Sequence, residues 1–353
     1  MGLVRRALRA ASQPPGWLVL ALALDAVIAV IAISTGRRLS LTDLLAAGPL
    51  LACARCSGRA TALAAVYAIS LCAIVTAAIG ASDSMGTGYR FIVVGGVGAL
   101  ATFAAAVRSR REGTLISISE KAQRAILHPL PAAAGGVAFA SHYQSATNQA
   151  LVGGDLYDIA MTPFGMRFII GDVKGQGIDA LGRSAAVLAA FRAAAFGEPD
   201  LIRLAEAMDA GLSRDMEIED FVTVIVAEFT PGHVCMVNCG HPPPVKLPAA
   251  GGCLQVMTPL EYEPPLGLHP HPKRQDICLG PGDRLLFYTD GLVESRDRAG
   301  RFFALDERVA QALAAPDLDT AVRRVVRLLL KHTGDGLADD VLLVLGEPAE
   351  AMT

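Results

Sequence analysis

Four apolar stretches, residues 17–34, 39–54, 60–82 and 91–107, fill the first third of the chain, and arginines stand at most of their ends. So much contiguous apolar sequence has no solution as an ordinary soluble core, and the pattern predicts about four transmembrane helices over residues 1–108. The second stretch is the shortest. The 16 residues between Arg38 and Arg55 reach only about 24 Å as a helix, against roughly 30 Å of hydrocarbon. They include Asp43 and Pro49, so a snorkelling crossing and a re-entrant segment both stay open. The whole chain is 52% hydrophobic and 18% charged, with a mean hydropathy of +0.43, and the apolar excess is concentrated in this region.

Arginine placement orients the helices. With the start of the chain inside, Arg5, Arg6, Arg9, Arg55, Arg59, Arg108, Arg110 and Arg111 are cytoplasmic and only Arg37, Arg38 and Arg90 are outside, as the positive-inside rule prefers. The expectation is a multi-pass protein of the cell membrane whose remaining sequence is cytoplasmic. A cleaved signal peptide does not fit, because the first apolar run has 18 residues and further runs follow. Asp25, within the first stretch, is either a functional intramembrane carboxylate or a protonated group paired inside the bundle. Gly95 and Ala99 form a small-xxx-small pair suited to helix packing.

A net charge of -3 leaves no basic footprint for nucleic acid. Seven scattered cysteines are not a disulfide framework. Cys53 and Cys56 form a lone CxxC without a second pair or a nearby His, and the C-x5-R spacing from Cys53 to Arg59 lacks the preceding strand that a cysteine phosphatase needs. After residue 108 charge returns, and Leu115, Ile118, Ala122 and Ala125 recur at heptad-like spacing until "HPLP" stops the helix. Residues 109–131 are therefore a linker helix, packed on its own domain or forming a short coiled coil in a homodimer.

The chemistry is carried by carboxylates at strand ends. Residues 155–162 and 165–172 read as strands joined by "TPFG", and their symmetry about that turn sets Asp155 opposite Asp172, about 5 Å apart. Opposed carboxylates repel unless one is protonated or a cation lies between them. "DRLLFYTDG" runs into Asp290, and "ADDVLLVLG" opens with Asp339 and Asp340. Because Asp155 and Asp339 begin strands while Asp172 and Asp290 end them, antiparallel packing can gather all four at one edge. Such a hard-oxygen site suits Mg²⁺ or Mn²⁺, with room for two ions. A lone Asp beside Gly is usually a turn residue; the repeated pattern carries the argument.

The motifs "VGGDLYD", "GDVKGQG", "DFVTVIVAEF", "VNCGHPPP", "PLGL", "PGDRLLFYTDGLVESRD" and "ADDVLLVLG" together resemble the sporulation stage II protein E class of bacterial serine/threonine phosphatases, which are type 2C-like (PPM-type) and metal-dependent. The likeness runs from about residue 132 to 348, leaving a tail at 349–353, and the whole chain resembles the membrane-anchored members. It implies an α+β fold, an αββα sandwich of two antiparallel sheets flanked by helices, and the mixed order of strands and helices agrees. It also implies two Mn²⁺ or Mg²⁺ ions. Asp172 would bridge them, the Val173 carbonyl would join one, Asp290 and Asp339 would complete one coordination sphere, and Asp155 would bind the other ion directly or through water.

The same resemblance implies hydrolysis of phosphoserine or phosphothreonine on cytoplasmic regulatory proteins, anti-anti-sigma proteins of the STAS type above all, under control of the membrane region. Lys174 stands where eukaryotic relatives have a His that serves as candidate general acid, and it becomes the candidate for holding the phosphoryl group; no acid is assigned. The usual Thr of the final "DD-x-T" is Leu342. His241 in "NCGHPPP" is read first as a structural anchor and second as a substrate contact, and Gly153 and Gly154 as allowing close backbone approach near Asp155. Two rival functions remain: a catalytically inactive membrane sensor or scaffold, and a hydrolase of small phosphate esters.

Overall fold

The computed structural model describes residues 15–36, 41–80, 84–144, 153–175, 177–213, 221–334 and 336–349. Arg5, Arg6, Arg9, Arg37 and Arg38 of the charge argument lie outside the described residues, as do the side chains of Leu115, Ile118, Ala122 and Ala125. The chain divides into two compact units, Met1–Ser117 and Ile118–Thr353.

The first unit contains α1 (Pro15–Thr35), a 3-10 turn (Thr42–Ala46), α2 (Ala47–Arg55), α3 (Gly58–Ala78) and most of α4 (Ser84–Ile126), whose last nine residues count with the second unit. Among the described residues, three helical segments are long and apolar enough to cross a membrane: Gly16–Thr35, Gly58–Ala78 and Gly86–Thr114. The second apolar stretch is not a fourth helix of that kind, because Pro49 and Asp43 leave it a 3-10 turn and nine helical residues. It nevertheless retraces α1 in antiparallel order. Leu45 shares a cluster with Ala29 and Ala32, the Gly48 N–H donates to Asp25 Oδ1 at 3.0 Å, Ala52 clusters with Ala21, and the Arg55 guanidinium lies 5.6 Å from the Trp17 ring centroid. Asp25 thus has its partner in a first-turn N–H, unused within its own helix, of a helix that starts inside the bundle, and Gly48 permits the contact because a Cβ there would lie 2.1 Å from Asp25 Oδ2. At the other end of α2, Arg108 donates to the carbonyls of Cys53 and Cys56.

The second unit is built from two sheets whose ladders all run antiparallel. The first has the order β1-β2-β11-β10-β7-β8 and the second β3-β4-β5-β6-β9. The strands that position the site are β2 (Val137–Gln144), β3 (Leu156–Thr162), β4 (Gly165–Val173), β5 (Val222–Thr230), β6 (His233–Cys239), β10 (Arg284–Tyr288) and β11 (Val341–Pro348). The smaller strands are β1 (Ala133–Ala134), β7 (Val245–Leu247), β8 (Gln255–Val256) and β9 (Arg274–Cys278).

Alternation along the strands builds the layers. Met166, Phe168 and Ile170 face the other sheet, while Ile169 and Val173 face helices α5 (Ile178–Gly197) and α6 (Leu201–Leu212). Likewise Leu342 and Val344 face the inter-sheet core, and Val341, Leu343 and Leu345 face α8 (Glu307–Leu313) and α9 (Leu318–Thr333), which follow the short α7 (Asp290–Val293). Because both faces are covered, the strands read as nearly continuous apolar runs. Phe139, Phe168, Phe229 and Phe287 meet between the sheets, with the Phe168 and Phe287 centroids 4.9 Å apart. This is the αββα sandwich.

Each sheet fastens its outer helices with a strand arginine. Arg167 of β4 is fully buried, pairs with Glu228 of β5 at 2.8 Å, and donates to the carbonyls of Ala195, Glu198 and Pro199 at the end of α5. Arg284 of β10 pairs with Glu347 of β11 at 2.6 Å and donates to the carbonyls of Leu313 and Ala315 at the end of α8. Removing the first guanidinium strands a partly buried Glu228 and three carbonyls. Arg167→Ala is therefore expected to destabilise the second unit by about 3–5 kcal/mol, read as a lowered urea midpoint of residues 109–353; a midpoint unchanged from the parent would refute it.

Candidate metal centre

The hairpin β3–β4 closes through Thr162 and Gly165, and its ladder pairs Leu156 with Gly171. The Val173 N–H donates to the Gly154 carbonyl at 3.2 Å, which continues the same register one pair beyond Asp155 and Asp172. These two carboxylates therefore stand opposite one another, as the symmetry about "TPFG" predicted. From the other sheet, β10 and β11 pair up to Tyr288 and Leu343, so Asp290 and the doublet Asp339–Asp340 emerge together just past the end of the ladder. Asp155 is influenced by Asp172, Asp340 and Asp290, Asp172 by Asp290, Asp339 and Asp340, and Asp290 by Asp339.

Three glycines make this convergence sterically feasible. A Cβ on Gly154 would lie 2.1 Å from the Val173 carbonyl oxygen and 2.6 Å from Asp172 Oδ1. One on Gly153 would lie 1.6 Å from Asp340 Oδ2, and one on Gly291 1.9 Å from the Asp340 carbonyl oxygen. Side chains at any of these positions would force the rim apart. Helix α5 ties the two loops from outside: Ser184 Oγ lies 3.0 Å from the Gly154 carbonyl oxygen, and Arg183 donates to the Lys174 carbonyl at 3.0 Å.

Burial, reinforced by Asp172, Asp340 and Asp290, holds the Asp155 carboxyl well above the usual carboxylate range, against the Thr289 hydroxyl, which lowers it. Burial likewise pushes Asp172 up to about 8, with Asp290, Asp339 and Asp340 adding to the rise and the Val173 N–H opposing it. Asp290 is raised by burial, Asp339 and Glu294. The neighbouring charges that raise these values are all carboxylates, so the rim is a cluster of hard oxygen donors. The Val173 carbonyl and Asp172 Oδ1 line the same small space beside Gly154. The donor set thus fits a divalent ion. Among the described residues no three His, Cys, Asp or Glu side chains converge on a single point; five mutually repelling carboxylates spread along a rim instead.

Asp340 is a member that sequence reasoning left unassigned: it is buried while Asp339 is exposed. The doublet was visible, but which of its carboxylates turns inward depends on the glycines packed against it. Thr289 is a second such residue, marked in the sequence only by its place before Asp290. Lys174 is exposed, and its ammonium lies 5.3 Å from the centroid of the Phe221 ring. His241 is buried, with Nδ1 3.0 Å from Thr223 Oγ1 and its backbone N–H and C=O bracketed by Asn238. Burial lowers its imidazole to about 3, so it is neutral and anchors the strand end.

Residues 162–347 match the family of stage II sporulation protein E. The chain belongs to that family. Three solved structures show the family's sandwich. The RsbU and RsbW domains of Rv1364c from Mycobacterium tuberculosis are 26% identical, with a TM-score of 0.53 over 61% of this chain and 60% of that one. This chain therefore spans less than two thirds of that protein's length. The SiaA-PP2C domain of Pseudomonas aeruginosa is 19% identical, with a TM-score of 0.58 over 69% of this chain and 98% of that one. The PP2C phosphatase domain and regulatory fragment of SpoIIE from Bacillus subtilis is 15% identical, with a TM-score of 0.51 over 62% and 64%. The second unit thus has the fold of the PP2C domains among these structures, within the stage II sporulation protein E family.

The electrostatics give a pH test. In the unfolded chain Asp172 ionises near its ordinary value of 3.8, whereas in the metal-free fold it keeps its proton up to about 8. Between these limits the folded state binds more protons, so its stability falls as pH rises through the window. Asp172→Asn, which carries no titrating proton, is expected to flatten that fall and to melt above the parent at pH 8 in chelator. Parallel melting curves from pH 4 to 8 would contradict this.

Proposed function

We propose that the chain is a membrane-anchored phosphatase that removes phosphate from phosphoserine or phosphothreonine on cytoplasmic regulatory proteins. The observation that carries the proposal is the gathering of Asp155, Asp172, Asp290 and Asp339 from both sheets at one rim of a PP2C-type domain. In this reading Asp172, Asp290, Asp339, Asp155 and the Val173 carbonyl hold two Mn²⁺ or Mg²⁺ ions. When bound, such ions supply Lewis-acid polarisation of a phosphoryl group and lower the pKa of water. The chain's own part is to present oxygen donors at fixed spacing, through the hairpin register and the three glycines. No side-chain nucleophile is needed, which accords with the absence of an activated Ser or Cys from the motifs. Asp339 is exposed and Asp172 and Asp290 are half-buried, so the rim opens to solvent, which suits a phosphorylated protein better than a small ester. An inactive scaffold would have no cause to hold these carboxylates together against their repulsion.

Activity of residues 109–353 on a chromogenic phosphate ester is expected only with added Mn²⁺ or Mg²⁺, and Asp172→Asn or Asp290→Asn should lower it by about 100-fold or more. Equal rates in chelator would remove the metal mechanism.

The membrane unit supports a cytoplasmic catalytic domain. Trp17 at the start of α1, Arg55 at the end of α2 and Arg108 of α4 lie at one end of the bundle, so α4 leaves the bundle on the side where α1 begins. Together with the arginine distribution this favours four crossings, the second made by residues 41–55. Reporter fusions at the two ends of the chain are expected to report the cytoplasm in both cases; an external C-terminal reporter would exclude an intracellular substrate.

For the substrate, the proposal is a phosphorylated anti-anti-sigma protein of the STAS type. Two supports are the motif resemblance and a related fold joined to an RsbW domain in the Rv1364c protein. Incubation with the host's phosphorylated anti-anti-sigma proteins and with unrelated phosphoproteins is expected to release phosphate faster from the former. Release from the unrelated set alone would refute the substrate.

A further inference from the structure

Thr289 occupies the N-cap position of α7, where a threonine hydroxyl ordinarily accepts a hydrogen bond from the first helical turn, yet it makes no such bond. The hydroxyl is committed elsewhere. Thr289 Oγ1 accepts the Leu342 N–H at 3.0 Å and lies 3.0 Å from Asp155 Oδ2. Since the amide can only donate, the oxygen accepts there and its single proton points to the carboxylate. The main chains of the same residues are joined as well, the Thr289 N–H donating to the Leu342 carbonyl at 3.1 Å.

Thr289 and Leu342 belong to the first sheet's end of the rim, and Asp155 to the second sheet's. Thr289 precedes Asp290, and Leu342 follows the Asp339–Asp340 doublet by two residues. One hydroxyl thus connects the segments that bear carboxylates from both sheets. It is fully buried, so water cannot replace it without rearrangement. We propose that Thr289 is a positioning residue that orients Asp155 against the Asp290 and Asp339 side of the rim, and so sets the spacing on which divalent-ion binding depends. This inference rests on the metal-dependent reading of the site.

The test is Mn²⁺ binding to the full chain in detergent, followed by electron paramagnetic resonance without substrate, beside the Mn²⁺ dependence of phosphatase activity. Thr289→Val keeps the shape and removes the hydroxyl. It is expected to weaken Mn²⁺ binding by about tenfold or more while kcat at saturating Mn²⁺ stays within about threefold of the parent. Thr289→Ser keeps the hydroxyl and is expected to bind as the parent does. If Thr289→Val does not fold, Thr289→Ala, which adds no apolar branch beside Asp155, is read by the same criterion. Unchanged Mn²⁺ binding without the hydroxyl, or an equal loss in Thr289→Ser, would overturn the positioning role alone. A parent chain that binds no Mn²⁺ would overturn the metal reading and this inference with it.

Discussion

Five carboxylates held at one rim repel one another, and the architecture of the second unit can be understood as what makes that arrangement tolerable. The force that opposes the repulsion is the apolar contact between two sheets, centred on Phe139, Phe168, Phe229 and Phe287. Side chains on both inner faces bury together, and each sheet then has a second apolar face covered by helices. With the sheets fixed in this way, the strand ends have little freedom, and Asp155, Asp172, Asp290, Asp339 and Asp340 are kept along one rim. A destabilising charge cluster sits on a stabilising core, the trade expected where function demands strain that packing has to offset.

Backbone chemistry decides how closely the carboxylates approach. Gly153, Gly154 and Gly291 leave out side chains that would collide with Asp340, Asp172 and the Val173 carbonyl. Hydroxyls then do what bare geometry cannot. Ser184 reaches the loop before β3, Thr223 lies between His241 and the end of β4, and Thr289 joins the sheets. His241 contributes as a neutral, buried group held by Asn238.

Much of this was legible in the sequence. Hairpin symmetry about "TPFG" set Asp155 against Asp172, because an antiparallel register is a property of numbering once the turn is known. The sandwich was implied by the motif resemblance, and the mixed order of strands and helices agreed with it. What could not be read was tertiary direction. Asp339 and Asp340 are adjacent and chemically identical, and only the packing of Gly153 and Gly291 distinguishes them. Lys174, next to a candidate ligand by position, extends over Phe221 instead. In the membrane unit the weakness of the second apolar stretch was legible from its length and from Pro49. Its hydrogen bond to Asp25 was not, because it joins residues 23 positions apart.

The two strand arginines divide the sandwich by purpose. Arg167 and Asp172 lie toward opposite ends of β4, and Arg284 opens β10 at the end far from Asp290, so each guanidinium fastens its helix about 17–20 Å from the rim. One end of the domain carries the fastening and the other carries the candidate metal centre. Lineages could therefore reshape rim loops, and so change which partner is recognised, without disturbing the joints that keep helices on sheets. The far end is accordingly where substitution should be least tolerated for reasons unrelated to catalysis, and the rim is where diversity among phosphatases of this build should accumulate.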